Sequence, residues 1–291
     1  MVKQTRNAPA KVNLALDILR KREDGYHDMK MVMQTVSLCD VVTVAGQPEG
    51  FSLHMEGFVP PAGKKTLEQR AAEAFFAELG RPVPGLAVTL EKHTPAYAGM
   101  GGGSADVAAL LRILRDTYCP EMQGETLERI GFMIGSDMPF CVRGGTALAE
   151  GRGEVLTDLP PLPVCWFVIC KPNFDIPTPA LFARVKPDAF LHRPDIPGMM
   201  DALERGDLEG IAGRMCNVFE EVLPENCGEV FAIQKSLLKL GALGAAMSGS
   251  GPTVFGIFRE EAAARQAAEI LCGEYTQTYL AKPVGKFCSG E

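Results

Sequence analysis

The feature that most constrains this chain is a glycine-rich segment that stands directly before a helical pattern. The segment reads Pro95-Ala96-Tyr97-Ala98-Gly99-Met100-Gly101-Gly102-Gly103-Ser104-Ala105-Asp106. After it, apolar residues recur at the spacing of one helix face, at Val107, Leu110, Leu111, Leu114 and Tyr118. Glycine permits sharp turns and close approach of a ligand, and a helix N-terminus offers unpaired N–H groups to anions. The segment therefore predicts a phosphate-binding loop in preference to a plain connector.

The common phosphate-binding and kinase motifs do not match this loop. A Walker A loop requires Gly-Lys followed by Ser or Thr, and the sequence contains no such run. A Rossmann fingerprint requires a third glycine where Ser104 stands. The protein-kinase motif Asp-Phe-Gly is absent, and His192-Arg193-Pro194-Asp195 differs from His-Arg-Asp. The loop therefore belongs to another class of phosphate-binding protein.

Composition narrows the partners that the chain is expected to have. At roughly 100–200 residues per domain, the 291 residues suggest about two domains. The net charge of −7 argues against a nucleic-acid partner, which requires a basic surface. The longest clean apolar stretch, residues 164–170, is far shorter than the ~20 residues of a membrane-spanning helix. We therefore expect a small-molecule partner and neither a membrane nor a nucleic acid; the sequence leaves open a monomer or a homodimer.

Cysteine and histidine usage indicates a reducing compartment and no structural metal site. The nine cysteines are scattered with no Cys-x-x-Cys pair, and the four histidines form no metal-binding pair. Free thiols are typical of cytoplasmic proteins. Lys11 and Asp17 interrupt the N-terminal segment where a signal peptide would be apolar. We therefore expect a cytoplasmic protein.

The first half of the sequence predicts a mixture of strands and helices. Strands are expected at residues 10–18, 29–38, 41–45, 51–55, 86–90, 138–142 and 146–149. Helices are expected at residues 67–79 and 126–134 and directly after the glycine-rich loop. Three prolines within residues 159–163 then mark a linker. We therefore divide the chain into domains of residues 1–158 and 164–291.

The second half predicts the order β-α-β-β-α-β when its helices are grouped. Strands are expected at residues 164–170, 245–248, 253–258 and 276–281, and helices within residues 178–240 and at 260–271. This order is that of the ferredoxin-like fold. Together the two halves predict two α+β domains with a cleft between them.

Two segments carry polar residues suited to catalysis, although each has a simpler explanation. Asp137, in Gly135-Ser136-Asp137-Met138-Pro139-Phe140, lies at an expected helix-to-strand junction, where an ordinary turn residue is the favoured interpretation. Lys11 and Asn13 share one face of the first strand, which favours a solvated polar face. The residues alone do not assign chemistry to either segment.

Two further segments carry residues suited to ligand binding. Gly249 and Ser250 lie between two expected strands, where a turn and a phosphate contact are equally good interpretations. Asp24-Gly25 explains a hairpin tip by itself. The following Tyr26 and His27 are not required by a hairpin, and their rings are suited to holding a planar base.

Taken in order, these segments resemble the motifs of the GHMP kinases. The family's three blocks correspond to residues 8–14, which read Ala-Pro-Ala-Lys-Val-Asn-Leu, to residues 95–106, and to residues 246–251, which read Ala-Met-Ser-Gly-Ser-Gly. The resemblance narrows to the 4-diphosphocytidyl-2-C-methyl-D-erythritol kinases through residues 22–27, 135–140, 143–145, 149–154 and 176–178. These blocks occur in order with matching spacing, from the first strand to near the C-terminus, which makes the resemblance specific.

The resemblance implies a fold and a reaction. The fold would be an α+β, two-domain GHMP kinase fold, with an N-terminal ribosomal-protein-S5-like domain and a C-terminal ferredoxin-like domain. The reaction would transfer the γ-phosphoryl group of ATP to the 2-hydroxyl of 4-diphosphocytidyl-2-C-methyl-D-erythritol, in the non-mevalonate route to isoprenoid precursors. Mg²⁺ would be the cofactor, with Ser104 as a candidate ligand.

The resemblance also implies roles for individual residues. Lys11 and Asp137 would form the catalytic pair, which reverses the simpler interpretation of both. Residues that would bind ATP are Lys92, Pro95, Gly99, Met100, Gly101, Gly102, Gly103 and Ser104. Residues that would bind the substrate are Asn13, Tyr26, His27, Thr178 and Phe182, with Tyr26 and Phe182 on either side of the cytosine and His27 at its edge. Gly249 and Ser250 would close the phosphate end from the second domain.

Three departures from the family pattern fall on the ATP side, and three alternatives stay open. Ala105 replaces a usual serine, Thr66 a usual asparagine and Thr94 a usual isoleucine. One alternative is another GHMP kinase, acting on mevalonate, phosphomevalonate or homoserine, which would not need a base-binding set of rings. Another is a nucleotide-binding relative that transfers nothing, against which the retained Lys11 and Asp137 argue. A purely structural protein would leave the glycine-rich loops without a purpose.

Overall fold

A computed structural model describes residues 2–56 and 63–287, whose strands form two sheets. The first sheet has the order β3-β4-β2-β1-β8, with β5 paired to β2 and β6 to β5. Its strands are β1 (Gln4–Lys21), β2 (His27–Gly46), β3 (Phe51–Met55), β4 (Leu86–Glu91), β5 (Thr146–Gly151), β6 (Val155–Asp158) and β8 (Cys216–Asn217). β6 and β8 have no counterpart among the strands expected from the sequence.

The long hairpin of β1 and β2 differs from expectation in two ways. Residues 29–38 and 41–45, expected as separate strands, belong to the continuous β2, in which Asp40 is buried but hydrogen-bonded. The expected solvated face of β1 is wrong, because Lys11, Asn13 and Asp17 are all buried. Helices cover one side of this sheet and the second half of the chain covers the other, so both faces of β1 lie in the interior.

Four helices accompany the first sheet: α1 (Leu67–Glu78), α2 (Gly102–Tyr118), α3 (Gly124–Phe132) and α4 (Met138–Arg143). The strand expected at residues 138–142 is wrong, since that segment forms α4. Pro139 is compatible with the first turn of a helix, where its missing N–H is not needed. A short apolar run has no period that distinguishes a buried helix from a buried strand. Asp137 therefore lies between two helices and not before a strand.

The second sheet has the strand order expected of a ferredoxin-like fold. Its strands are β7 (Trp166–Lys171), β9 (Gly244–Met247), β10 (Val254–Phe258) and β11 (Gln277–Ala281), in the antiparallel order β11-β7-β10-β9. The helices of this half are α5 (Thr178–Phe182), α6 (Ile196–Glu204), α7 (Leu208–Ala212), α8 (Glu229–Lys239) and α9 (Glu261–Cys272). The predicted β-α-β-β-α-β order is confirmed once α5–α8 are grouped.

Two segments of the second half of the chain pair with the first sheet. β8, from the second half, pairs parallel with β1 at Ala15 and Leu16. At the other end, residues 282–287 return to the first sheet, where the Val284 N–H donates to the Thr35 carbonyl at 2.8 Å. The division at residues 158 and 164 stays a prediction, and these crossings show that neither half is structurally isolated.

Two expectations, about membrane spans and about free thiols, can be compared with the described residues. No helix in the described part of the chain is both long enough and apolar enough to cross a membrane. The eight cysteines within residues 2–56 and 63–287 are all free, and Cys288 lies outside the described residues.

Candidate active site

The glycine-rich loop has the backbone shape that its composition predicts. Gly99 and Gly101 have φ values of 71° and 67°, and Gly101 caps the N-terminus of α2. A Cβ on Gly101 would lie 3.2 Å from Cε of Lys11 and 3.7 Å from Oδ2 of Asp137. Glycine is therefore needed here both for the left-handed backbone and for the close approach of two side chains.

Lys11 and Asp137 meet directly beside this loop. Nζ of Lys11 lies 3.3 Å from Oδ2 of Asp137, 2.8 Å from Oδ1 of Asn13 and 3.0 Å from the Gly99 carbonyl oxygen. The Lys11 side chain is only 5% exposed, whereas that of Asp137 is 35% exposed. The lysine is thus held from three sides, whereas the carboxylate is partly exposed.

Residues of the second half of the chain contact the glycine-rich loop. The Ser248 hydroxyl donates to the Gly99 carbonyl at 3.0 Å, and a Cβ on Gly249 would lie 2.7 Å from that same oxygen. The Thr178 and Ser250 hydroxyl oxygens are 2.7 Å apart. The structure therefore brings Gly249, Ser250 and Thr178 to the glycine-rich loop.

Lys92 is partly exposed at the entrance to the loop and pairs with two buried carboxylates. Its ammonium group pairs with the carboxylates of Asp40 and Asp106, while Oδ1 of Asp40 accepts the N–H groups of His93 and Thr94 at 2.6 and 2.7 Å. Burial raises the pKa of Asp106 to about 7 against the opposing effect of Lys92, and Oδ1 of Asp106 has no hydrogen-bond partner among the described residues. The cluster ties β2, the residues before Pro95 and the first turns of α2 together.

The residues that depart from the family pattern have structural roles in this region. The Thr66 hydroxyl caps α1 by accepting the Gln69 N–H at 3.2 Å. The Thr94 side chain would be 3.1 Å from a Cβ on Gly102, and in the described part of the chain its buried hydroxyl has no hydrogen-bond partner. Ala105 is buried in the apolar cluster beneath α2.

Aromatic rings gather at the far end of the β1–β2 hairpin. The rings of His27 and Phe182 stack with their centroids 5.1 Å apart, and Phe219 packs edge-on against Phe182 at 4.9 Å. Burial, aided by the charge of Lys21, lowers the pKa of His27. Tyr26 is 52% exposed, and the Arg152 guanidinium covers one face of its ring. Phe182 thus stacks on His27, the neighbour of Tyr26 along the chain, and the cytosine sandwich of Tyr26 and Phe182 stays a prediction.

Two residues near the site were missed by the sequence analysis. Asp40 organises the entrance to the loop, and the only signal for it was an acidic residue inside an apolar strand pattern. Arg152 stood within a recognised motif but received no role, because nothing local indicates that it contacts the ring of Tyr26.

Among the described residues, the side chains of the site do not form a complete metal-binding site by themselves. Within residues 2–56 and 63–287, no group of three or more His, Cys, Asp or Glu side chains is arranged to hold a metal ion. Mg²⁺ commonly takes one or two protein oxygens and completes its shell with substrate phosphates and water. Ser104, in the first turn of α2, and Asp137 supply oxygens of that kind. The residues present therefore fit a Mg²⁺ ion that is carried by nucleotide phosphates.

Comparison with known families matches both halves of the chain. Residues 66–145 match the GHMP kinases N-terminal domain, and residues 199–277 match the GHMP kinases C-terminal domain. The first match contains the glycine-rich loop and Asp137, and the second contains the loop of Ser248, Gly249 and Ser250.

Relatives with known names cover nearly the whole chain. The 4-diphosphocytidyl-2-C-methyl-D-erythritol kinase of Listeria monocytogenes serotype 4b is 39% identical over 281 residues, covering 95% of this chain and 94% of the Listeria protein. The enzyme of that name from Clostridium tetani is 36% identical over 277 residues, covering 95% and 99%.

Solved structures agree with these relatives. A crystal structure of 4-(cytidine 5'-diphospho)-2C-methyl-D-erythritol kinase superposes with a TM-score of 0.81 at 34% identity, covering 97% of this chain and 100% of that chain. Homoserine kinase from Cytophaga hutchinsonii, at 17% identity and a TM-score of 0.75 over 98% and 96% of the two chains, shares the fold alone. The chain belongs to the GHMP kinases, and within them to the family of 4-diphosphocytidyl-2-C-methyl-D-erythritol kinases.

Proposed function

We propose that this chain transfers the γ-phosphoryl group of ATP to the 2-hydroxyl of 4-diphosphocytidyl-2-C-methyl-D-erythritol. The observation that carries the proposal is the 3.3 Å ion pair of Lys11 and Asp137 against the glycine-rich loop. A phosphoryl transferase needs a group that orients the attacking hydroxyl and a cation that stabilises the transferring group. Asp137 supplies the orienting group and Lys11 the cation, and the two lie side by side. The family to which the chain belongs supports this acceptor.

Asp137 and Lys11 divide the work at the reacting atoms. The partly exposed Asp137 carboxylate accepts the proton of the attacking hydroxyl or orients that hydroxyl, a role that typically contributes about 10²–10⁴-fold in rate. The buried Lys11 ammonium, fixed by Asn13 and by the Gly99 carbonyl, stabilises negative charge on the transferring phosphoryl group. Because these contacts already hold Lys11, little reorganisation is needed as charge develops.

The donor nucleotide lies along the loop from Pro95 to Ser104. Backbone N–H groups of Gly99, Met100, Gly101, Gly102 and Gly103, and the N-terminus of α2, face its phosphates. Gly249 and Ser250 close this end from the second half of the chain. Mg²⁺ bound to the phosphates, with Ser104 as a protein ligand, would supply neutralising charge.

Lys92 contributes to the donor site in a way that differs from a free cation. Its ammonium group is already paired with Asp40 and Asp106. We therefore infer that Lys92 supports nucleotide binding indirectly, by fixing the position of the residues before Pro95. Its charge is largely neutralised by the two carboxylates.

The acceptor lies along the β1–β2 hairpin towards the ring cluster. Tyr26 and Phe182 hold the cytosine between them and His27 hydrogen-bonds its edge, while Asn13 and Thr178 line the path towards Asp137. The lowered pKa of His27 favours the neutral imidazole, which offers one donor and one acceptor nitrogen to a base. We place the enzyme in the cytoplasm, in keeping with the free thiols of its described cysteines.

An ADP-release assay with ATP and Mg²⁺ tests the proposal. It offers 4-diphosphocytidyl-2-C-methyl-D-erythritol, mevalonate and homoserine side by side, and Asp137→Asn serves as the blank for contaminating kinases. We expect turnover with the cytidyl compound alone. Equal or greater turnover with mevalonate or homoserine would overturn the assignment, and so would binding of the cytidyl compound without any turnover.

A further inference from the structure

The guanidinium group of Arg152 lies between two aromatic rings at the end of the acceptor site. Its Cζ is 3.6 Å from the ring centroid of Tyr26 and 5.0 Å from that of Phe132. Guanidinium groups are planar and stack well on aromatic faces, which the compact ammonium of lysine does not do. Tyr26 is therefore covered on one face by a side chain from a distant part of the sequence.

The tight turn between β5 and β6 places Arg152 there. Gly151 and Gly153 have φ values of 70° and 117°, and the Arg152 N–H donates to Oε2 of Glu154 at 2.6 Å. Gly151 pairs with Met29 of β2, which brings the turn beside the residues that follow Tyr26. A Cβ on Gly153 would lie 3.2 Å from the Ser136 carbonyl oxygen. The turn therefore packs between the β1–β2 hairpin and the loop before Asp137.

Arg152 is not held by the usual partners of an arginine. Within residues 2–56 and 63–287, its guanidinium forms no salt bridge and its buried Nε has no hydrogen-bond partner, although the exposed Asp24 carboxylate is near enough to interact electrostatically with its charge. A buried, unpaired donor costs free energy, so an arginine that only filled space would be unfavourable here. The contacts with the two rings offset this cost, together with a solvent-screened attraction to the exposed Asp24 carboxylate.

We propose that Arg152 is a positioning residue for the nucleobase of the acceptor. By covering one face of Tyr26, it fixes the plane of that ring and leaves only the opposite face for stacking. The Tyr26 N–H, bonded to Oδ1 of Asp24 at 3.1 Å, fixes the backbone beneath the same ring. The ring is thereby oriented before the base arrives, which reduces the ordering cost of binding. This inference rests on the proposed function, because it assigns Arg152 to the cytidyl end of that substrate.

A double-mutant cycle tests whether Arg152 acts through Tyr26. The proteins are wild type, Arg152→Met, Tyr26→Ala and the double variant, with Arg152→Lys as a second variant that keeps the charge without the planar stack. Arg20→Ala is the charge-matched control, since Arg20 lies on the same hairpin and pairs with Asp28. Steady-state KM for the cytidyl substrate and for ATP, and kcat, are measured for each protein.

We expect Arg152→Met to raise the KM of the cytidyl substrate by roughly fivefold to thirtyfold, with kcat and the KM of ATP unchanged. In the Tyr26→Ala background the same change should add less than about twofold. Arg152→Lys should show an intermediate KM, and Arg20→Ala a normal one.

Two results would overturn the inference. An equal rise in KM in both backgrounds would mean that Arg152 contacts the substrate directly, for example at its diphosphate. A parallel loss of kcat and of ATP affinity would mean a general structural role. Failure of the proposed function is distinguishable, because the wild-type protein in the same series would then show no turnover with the cytidyl substrate.

Discussion

The carbonyl oxygen of Ser248 fills the space in which any side chain on Gly99 would begin. A Cβ at position 99 would lie only 2.1 Å from that oxygen, and the Ser248 hydroxyl donates to the Gly99 carbonyl at 3.0 Å. The backbones of the glycine-rich loop in the first half and of the serine-glycine loop in the second are therefore in close contact, and the Ser248 hydroxyl hydrogen-bonds across that contact. The phosphate end of the proposed site therefore takes residues from both halves of the chain.

Gly99→Ala should separate these two loops. The substitution places a Cβ against Ser248 and also a non-glycine residue at a φ of 71°, which costs about 1–2 kcal/mol by itself. We expect the KM of ATP to rise by about tenfold or more. Gly80→Ala is the control, since Gly80 has a φ of 62° but nothing within 4 Å of its Cβ position. An equal effect of both variants on the KM of ATP would contradict the role of this contact.

Asp137→Asn should lower kcat strongly while nucleotide binding is largely kept. The loss in kcat should be about 10²–10⁴-fold, the usual contribution of a positioned general base. Asp137 precedes α4 without capping it through its side chain, so the variant should fold normally. Calorimetric titration with ATP and a single-turnover rate measurement separate the two effects. A near-normal kcat would show that this carboxylate does not handle the hydroxyl proton.

Tyr26→Ala should chiefly raise the KM of the cytidyl substrate. Stacking of a base on an aromatic ring is worth about 1–3 kcal/mol, which corresponds to roughly 5-fold to 150-fold in KM. Tyr26→Phe keeps the ring and should stay close to wild type. The comparison is made in steady-state kinetics, with ATP varied separately. If Tyr26→Ala changed the KM of ATP and not that of the acceptor, the base would lie elsewhere.

Asp106→Asn should remove a pH dependence of stability between about pH 4 and about pH 7. Because burial raises the pKa of Asp106 from 3.8 to about 7, the folded protein binds the proton more tightly than the unfolded chain. The free energy of unfolding of the wild type should therefore fall as pH rises through this window. The groups facing Asp106 are Lys92, Asp40 and Glu68.

Denaturant unfolding at three pH values measures this slope. The difference in stability between Asp106→Asn and wild type should move in favour of the variant as pH rises. Asp188→Asn, at an exposed position, is the matched control. A constant difference across the window would show that Asp106 is charged throughout it.

Phe287→Ala should loosen the return of the C-terminal segment onto the first sheet. The guanidinium of the buried Arg112 lies 4.1 Å from the Phe287 ring centroid, and the Phe287 N–H donates to the Arg143 carbonyl at 2.9 Å. Loss of the ring should cost about 1–2 kcal/mol. The measurement is the Tm, with Phe287→Leu retaining the apolar contact but not the π face. An unchanged Tm in Phe287→Ala would mean that this segment does not support the fold.

Much of the fold could be predicted because its signals are local. The helix after the glycine-rich loop follows a 3.6-residue period, and the strand order of the second half follows from the sequence of elements. The conformation of residues 138–142 could not be predicted, since a short apolar run fits either a buried helix or a buried strand. Burial of Lys11 was missed for a similar reason: alternation along one strand does not reveal what covers its polar face.

The sequence by itself determined that a glycine-rich loop precedes a helix and that a lysine and an aspartate stand in a kinase pattern, because motif and period are properties of neighbouring residues. Only the tertiary structure decided that Lys11 meets Asp137, that Asp40 holds the entrance to the loop and that Arg152 covers Tyr26. These partners lie far apart along the chain. Strand register and the contact between the two halves bring these partners together, and no local sequence pattern predicts either.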